Sequence, residues 1–454
     1  MNAGARLDRL PISSFHRRIL WLIGIGMFFD GFDIYVAGAV LGATLKSGFS
    51  TMTQNAQFVS FTFLGMMLGA FFTGFLGDRY GRRFTYQANL AIFGLASIAA
   101  AFAPSMLVLI LLRFVMGAGL GAENVVGYAT MTEFVPPQAR GKWLGIVSVF
   151  VVSGLPVTGL LGTILIPHFG WRIMFVLGGV GAMVVWYLRK SLPESPRWLE
   201  SVGRTEEADA ILRDIEREVA LHHAPLPAPV SAPPTLHSHD LGSLLKPVLL
   251  PRMIVGATTL IVVNTLIFGF VTWLPTFFVQ EGLSIVSSLG YSLIISLGAP
   301  LGTALGAFTA DSWGRKPTII GASLLTIVIG SIYPFVHNPA VLLAVGFLLM
   351  VPIYVLVAVL FAIYIPELFP TEVRMRASGI CNTFGRGATI LTPFIVVALF
   401  RAYRVTGVVG FLIALLIVQI FVVLRFGVEP KKKRLEEIEP QPSGSLSERS
   451  VIAG

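Results

Sequence analysis

Five ionisable residues stand inside stretches that are otherwise apolar: Asp30, Asp33, Arg113, Glu123 and Arg386. A charge held in hydrocarbon is expensive enough to demand a purpose or a partner. Asp30 and Asp33 are three apart and share a helical face. Two acids on one face repel each other when both are ionised, so one of them is suited to hold and release a proton near neutral pH. Asp33 lies roughly 15 Å, and Arg113 roughly 10 Å, below the outer ends of their segments at 1.5 Å per residue, so the two could pair. The expectation is Asp33 as proton carrier with Arg113 biasing it; the alternative is a static ion pair. Arg386 lies roughly 18 Å in, near the midplane. An unpaired cation there invites an anion, and a guanidinium forks onto a carboxylate through two parallel bonds. The flanking Gly385 and Gly387 would let a ligand approach the backbone. The alternative gives Arg386 a partner in Glu123 or in backbone carbonyls. Phe32, Tyr35, Trp273 and Tyr364 are candidates to stack on a flat ring, although an aromatic in such a segment more often packs or faces lipid. Asn124, Asn264 and Asn382 could orient hydrogen bonds.

These residues need long apolar elements to carry them, and the composition supplies such elements. Of 454 residues, 55% are hydrophobic and 13% charged, with a mean hydropathy of +0.79. That leaves too few charges for a water-facing surface. Runs of about 20 apolar residues, the length a bilayer requires, fill most of the chain. The expected spans are 19–43, 55–77, 84–103, 106–133, 140–166, 171–190, 252–279, 284–310, 316–336, 339–367, 374–400 and 405–425. The fold class is therefore an all-α membrane protein of twelve helices in two six-helix bundles. The formal charge of +9 is topology and not a nucleic-acid footprint. The loops 1–18, 78–83, 134–142, 189–252, 311–316, 369–376 and 425–454 hold 27 of the 33 Lys and Arg residues, which places both termini in the cytoplasm.

Residues 205–221 predict a short amphipathic helix with Ala208, Ile211, Leu212, Ile215 and Val219 on one face and Glu206 and Glu207 in its first turn. A Pro-rich irregular stretch follows it. The expected domains are 1–192, a linker at 193–250, a second bundle at 251–428 and an unstructured tail at 429–454. The single Cys381 excludes an internal disulfide and a cysteine-based metal site. Two motifs repeat. GDRYGRR at 77–83 returns as ADSWGRK at 310–316, an offset of 233, and EFVPPQAR at 133–140 returns as ELFPTEVR at 367–374, an offset of 234. Duplicated bundles are the economical reading. The repeated loops put Asp78, Arg79, Arg82, Arg83, Glu133 and Arg140, and again Asp311, Arg315, Lys316, Glu367 and Arg374, where helix ends converge. Pairs of Asp78 with Arg82 and of Glu133 with Arg140 could lock the bundles together and release as they rock.

On these motifs the chain resembles the major facilitator superfamily over nearly its whole length. GFLGDRYGRR at 74–83 matches that superfamily's loop between helices 2 and 3, and Arg113–Gly117 resembles its helix-4 motif. PESPRWL at 193–199 is similar to the segment shared by sugar porters and their metabolite–proton symporter relatives. The seventh span, GATTLIVVNTLIFGFVTWLPTFF, lacks the Gln pair of sugar porters. Trp273-Leu-Pro275 instead resembles aromatic-acid and organic-acid proton symporters, as do Asp30-Gly-Phe-Asp33 and Gly385-Arg-Gly-Ala. Within that branch the resemblance is to bacterial nicotinate transporters related to synaptic vesicle glycoprotein 2. It implies a bacterial inner-membrane importer of a small aromatic carboxylate, coupled to protons by alternating access, monomeric, in contact with membrane lipid and without a cofactor. Sugar or other organic-acid porters are alternatives. So is a drug–proton antiporter, whose helix-5 motif SGLPVTGLLG at 153–162 partly resembles. A receptor that binds without transport is a third class. No nucleotide loop, nucleophile–base set or metal set points to an enzyme.

Overall fold

The computed structural model describes residues 3–223, 249–369 and 374–429, with four isolated positions between 224 and 248. Seventeen α-helices in chain order account for most of them. A short α1 (Ala3–Asp8) precedes the first six long helices: α2 (Ser14–Lys46), α3 (Met52–Tyr80), α4 (Arg82–Ala101), α5 (Met106–Phe134), α6 (Pro137–Phe169) and α7 (Arg172–Leu188). Two linker helices follow, α8 (Pro196–Ser201) and α9 (Thr205–His223), the second close to its expected span. The second set comprises α10 (Leu250–Gly269), α11 (Leu274–Gln280), α12 (Ile285–Ser296), α13 (Gly298–Ser312), α14 (Arg315–Ile332), α15 (Pro339–Val357), α16 (Ile365–Leu368) and α17 (Arg374–Phe426).

Among the described residues, eleven helical stretches are long and apolar enough to cross a bilayer. The last is two spans in one. At 53 residues, α17 would be about 80 Å long at 1.5 Å per residue, far more than the ~30 Å of hydrocarbon. Its helical dihedrals fail at Arg404, at φ 56° and ψ −152°, and there the chain turns back. The twelve spans expected from the sequence are therefore present.

Three spans are interrupted. The seventh breaks between α10 and α11 through a 3₁₀ turn at Val271–Trp273, where Pro275 removes a donor. The eighth is divided between α12 and α13. The tenth passes from α15 through a π-helical stretch, Ala358–Tyr364, into α16, with Pro352 inside α15.

Each half is drawn together at one pair of helices by backbone approach. A Cβ on Gly65 or Gly69 of α3 would sit 2.1 or 1.9 Å from the carbonyl oxygens of Phe114 and Ala118 in α5. Gly117 and Gly121 meet α3 in the same way. Small residues at four-residue spacing allow this closeness in lipid. At the 233-residue offset, Gly65 and Gly69 return as Gly298 and Gly302, and these press on Phe347 and Val351 of α15. The duplication extends from loop motif to helix packing.

The repeated loops define one face of the molecule, here the motif face. At Gly81 (φ 93°) and Gly314 (φ 109°) the chain enters α4 and α14 through a conformation that side chains avoid. The carboxylate of Glu194 accepts hydrogen bonds from the Arg82 and Arg83 amides, and that of Glu429 accepts from the Arg315 and Lys316 amides. An acid on the free amides of a helix start is favoured by the dipole. Glu429, expected to open an unstructured tail, is thus a structural cap.

Candidate functional site

Four hydrogen bonds between described residues join the two halves. Arg401 donates to Thr53 Oγ1 (3.0 Å), Ser60 to the Ile390 carbonyl (2.7 Å), Arg386 to the Met66 carbonyl (3.2 Å), and the Tyr354 hydroxyl to that of Tyr35 (3.3 Å). Thr53 stands at the start of α3 on the face opposite the motifs, and Met66 stands midway along that helix. The first three bonds therefore form a seam between α3 and α17 running from the far face to the middle. Phe63 of α3 and Phe268 of α10 meet edge to face beside it, with ring centroids 4.3 Å apart. Gly38 and Gly42 of α2 pack onto the Thr272 and Pro275 backbone. The far side is shut.

Arg386 ends this seam. It is half-buried, and no acid pairs with it among the described residues. The sequence left two partners open for it, Glu123 or a backbone carbonyl; a carbonyl is what it finds. Asn382 lies one turn away on the same face and donates to Ser378. Asn264 of α10 donates to its own Leu260 carbonyl, and its amide nitrogen would lie 2.8 Å from a Cβ on Gly385. Asn264 therefore meets α17 at Gly385, the residue before Arg386, while Arg386 itself faces α3. The side chain of Asn124 lies outside the described residues.

The aromatic candidates divide. Tyr35 borders a cavity of about 30 Å³ whose lining includes Thr158, Thr272, Ser292, Ser296 and Met350, room for about one water. Phe32 is buried among Phe28 and Phe29. Trp273 is fully buried and stacks on Phe277, which stacks on Phe400, so it packs the far end of the bundle. Tyr364 is a correction. It is fully buried, and its hydroxyl would lie 3.1 Å from a Cβ on Gly427, past the end of α17 and near the motif face. The π-helical turn changes the register at which its side chain leaves the helix, and it does not join the Arg386 group.

In the first half, Arg113 donates to the Asp33 carboxylate and also to the Asp33 carbonyl (2.9 Å). Its guanidinium lies 5.0 Å from the Phe58 ring centroid. Both side chains are buried. Glu123 is paired as well, with Arg189, a residue that the charge count had placed in a loop. Arg189 is fully buried and bonds Glu123, the Leu22 carbonyl (2.9 Å) and the Ile23 carbonyl (3.0 Å). An Arg-Lys pair at the end of an apolar run resembles an interfacial anchor, which is why sequence reasoning missed Arg189.

The expected pairs of Asp78 with Arg82 and of Glu133 with Arg140 each include a side chain outside the described residues; two other gate pairs are described. Arg82 bonds Glu133 (3.1 Å) and Arg315 bonds Glu367 (2.8 Å), so each motif's arginine meets the acid of the other motif in its own half. The start of α4 lies beside the end of α5 in one bundle, and that proximity decides the pairing. The Arg83 side chain donates to the Lys190 carbonyl, and Lys316 donates to the Leu424 and Gly427 carbonyls. Arg79 lies over Tyr80. The side chains of Asp78, Arg140, Asp311 and Arg374 lie outside the described residues.

Comparisons with known proteins agree with this architecture. The sequence model of a family described as "Sugar (and other) transporter" matches residues 20–441. The chain is 38% identical to the inner membrane metabolite transport protein YdjE of Escherichia coli (strain K12), over 96% of this chain and 98% of that protein. It is 30% identical to the niacin transporter NiaP of Acinetobacter baylyi, over 96% of this chain and all of NiaP. Among solved structures, the major facilitator proton:xylose symporter XylE bound to 6-bromo-6-deoxy-D-glucose superposes with a TM-score of 0.70 at 20% identity, covering 94% of this chain and 98% of XylE. A partially occluded inward-open XylE from E. coli gives 0.72 at 17% identity, with 92% and 99% covered. The chain is a multi-pass membrane transporter and belongs to the sugar and other transporter family of the major facilitator superfamily.

Proposed function

We propose that this transporter imports a small aromatic carboxylate, nicotinate being the first candidate, together with a proton. The observation that carries the reading is Arg386: a cation midway through the membrane, at the junction of the two halves, bonded to a main-chain carbonyl and to no described acid. Likeness to NiaP over the whole chain supports the same substrate class. The far face is shut, and the basic loops assign the motif face, with both termini, to the cytoplasm of a bacterial inner membrane. Opening toward the other side must break the Arg386–Met66 bond. That frees a fork of donors for an arriving carboxylate, with Asn264 and Asn382 beside it. Closing the seam again returns Arg386 to Met66 as the anion leaves inward.

A second reading, a sugar porter, is favoured by the family description and the likeness to xylose symporters. The absence of Gln from the seventh span up to Phe278 counts against it. A thermal-shift titration of purified protein with nicotinate, benzoate, nicotinamide and xylose separates the two. The carboxylates should stabilise the protein and the amide and sugar should not. Arg386→Ala should weaken the carboxylate response ten- to a hundred-fold, since a hydrogen bond to a charged group is worth about 1.5–3 kcal/mol. A shift with xylose alone, or a carboxylate response unchanged in Arg386→Ala, would falsify the carboxylate reading.

A further inference from the structure

Among the described residues, the interior of the first bundle holds three acids, Asp30, Asp33 and Glu123, against two cations, Arg113 and Arg189. The cations are committed. Arg113 gives its two terminal nitrogens to Asp33. Arg189 spends one nitrogen on Glu123 and its other two on the Leu22 and Ile23 carbonyls. Asp30 is left over. It is fully buried, and both of its carboxylate oxygens are without a hydrogen-bond partner. One negative charge in this interior has no counter-charge, and an unpaired buried charge is the costliest arrangement a protein core can hold.

Among the described residues, these are the titratable groups facing Asp30. Glu123 and Tyr128 approach from α5, Tyr86 from α4, Arg189 from beyond α7, and Asp33 from its own helix. On the α6 side the contact is backbone, the Val151 carbonyl against Gly31. The Tyr86 hydroxyl lies beside that of Thr130, and Glu123 Oε2 is buried without a partner. They surround the site with oxygens that can pass or accept a proton.

We propose that Asp30, between the Asp33–Arg113 and Glu123–Arg189 pairs, is a proton-binding site, and that the proton it binds is the one coupled to transport. Binding adds one proton to one carboxylate and leaves the first bundle's interior with two acids against two cations. The packing selects a proton over a metal cation. A Cβ on Gly26 would fall 1.9 Å from Arg189, one on Gly31 2.0 Å from the Val151 oxygen, and one on Gly127 2.7 Å from Met27 Sδ. A sodium ion needs several oxygens around a void of its own; a proton needs neither. The coupling half of the proposal rests on the proton-symport reading. The binding half does not.

The test uses ligand-free, full-length protein, so its failure is separate from any failure of nicotinate as substrate. Infrared spectra in heavy water, followed from acid to alkaline pH, should show the carbonyl stretch of a protonated, weakly hydrogen-bonded carboxyl persisting at neutral pH. Asp30→Asn should remove that band; because loss of any one of the three acids restores the balance of charge, the bearer is read from carboxyl-for-carboxyl swaps, and Asp33→Glu and Glu123→Asp should leave the band where it is. Asp30→Glu, which keeps a carboxyl, should retain the band at a shifted position and guards against a variant that fails to fold. Replacing potassium chloride by sodium chloride should change nothing. A neutral-pH band that survives Asp30→Asn, its absence from the wild type, or its displacement by sodium would each overturn the proposal.

Discussion

At the residue scale, two buried ion pairs hold the first bundle together without adding much net stability. Taking two ions out of water costs about as much as their attraction returns, but removing one partner leaves the other charged and unmatched, at about 3–5 kcal/mol. For Asp33–Arg113 the asymmetry is pronounced, because Arg113 also grips the Asp33 carbonyl and lies over Phe58. Arg113→Leu alone should therefore lower thermal stability steeply, and Asp33→Asn alone less so, since its amide can still accept a bond. The double variant Asp33→Asn/Arg113→Leu should recover part of the Arg113→Leu loss. Unfolding midpoints of the four proteins in one detergent give the coupling. Strictly additive losses would mean that the two side chains do not act as a pair. The proton-carrying role expected of Asp33 passes to Asp30 for this reason: the residue that already has a cation is the worse proton acceptor.

At the element scale, the N-terminal helix α1 and the linker helices α8 and α9 form a clasp on the motif face. Arg6 forks onto Glu216 (2.9 and 2.6 Å) and reaches Asp209 (2.6 Å), and Arg9 adds a second bond to Glu216 (2.7 Å). Asp8 accepts from Arg197 (2.6 Å), and the Ala3 amide donates to Glu200 (2.8 Å). The Arg6 and Arg9 guanidiniums hold the Glu216 carboxyl below its usual range, and Arg6 and Arg213 do the same for Asp209. A depressed carboxyl stabilises the docked form above its unfolded value, about 4.3 for Glu, and loses that contribution as pH falls through the depressed folded value. The clasp should stay closed from neutral pH down to about 4 and open on further acidification; salt should loosen it at any pH. Hydrogen exchange over residues 3–10 and 205–220 reads this directly. Exchange independent of both pH and salt would show that the ion pairs do not close the clasp.

The same elements show what the sequence made legible. Apolar runs, repeated loops and the amphipathic face of residues 205–221 gave twelve spans, the duplication and α9, because each rests on local periodicity or repetition. The Asp33–Arg113 pairing followed from depth along two helices. The rest depended on which neighbour each helix meets. Arg189 points inward because Glu123 and two main-chain carbonyls of α2 await it. Arg82 reaches Glu133 because α4 begins beside the end of α5, and the π-helical turn carries Tyr364 away from the centre. None of these is encoded within one segment.

At the scale of the whole molecule, the two bundles share an outline and differ in charge. The second bundle's α10, Leu250–Gly269, has no ionisable side chain after Arg252, whereas its first-bundle counterpart α2 has Asp30 and Asp33. On the proposed reading, proton handling falls to one bundle and anion binding to the other, with α3 and α17 meeting between them at Met66 and Arg386. This division fixes the energetics of a transport cycle. A monoanion on Arg386 and a proton on Asp30 cross together, and their charges cancel. A membrane potential, worth about 2.3 kcal/mol per charge per 100 mV, should then drive no accumulation, whereas a pH gradient should contribute about 1.4 kcal/mol per unit. Proteoliposomes given each gradient separately, with labelled nicotinate outside, decide the matter. Accumulation of about ten-fold per unit of pH gradient and none under potential alone is expected. Uptake driven by potential alone would require at least one more positive charge to enter per cycle. The pairing of three acids with two arginines and one proton would then be the wrong account of the first bundle.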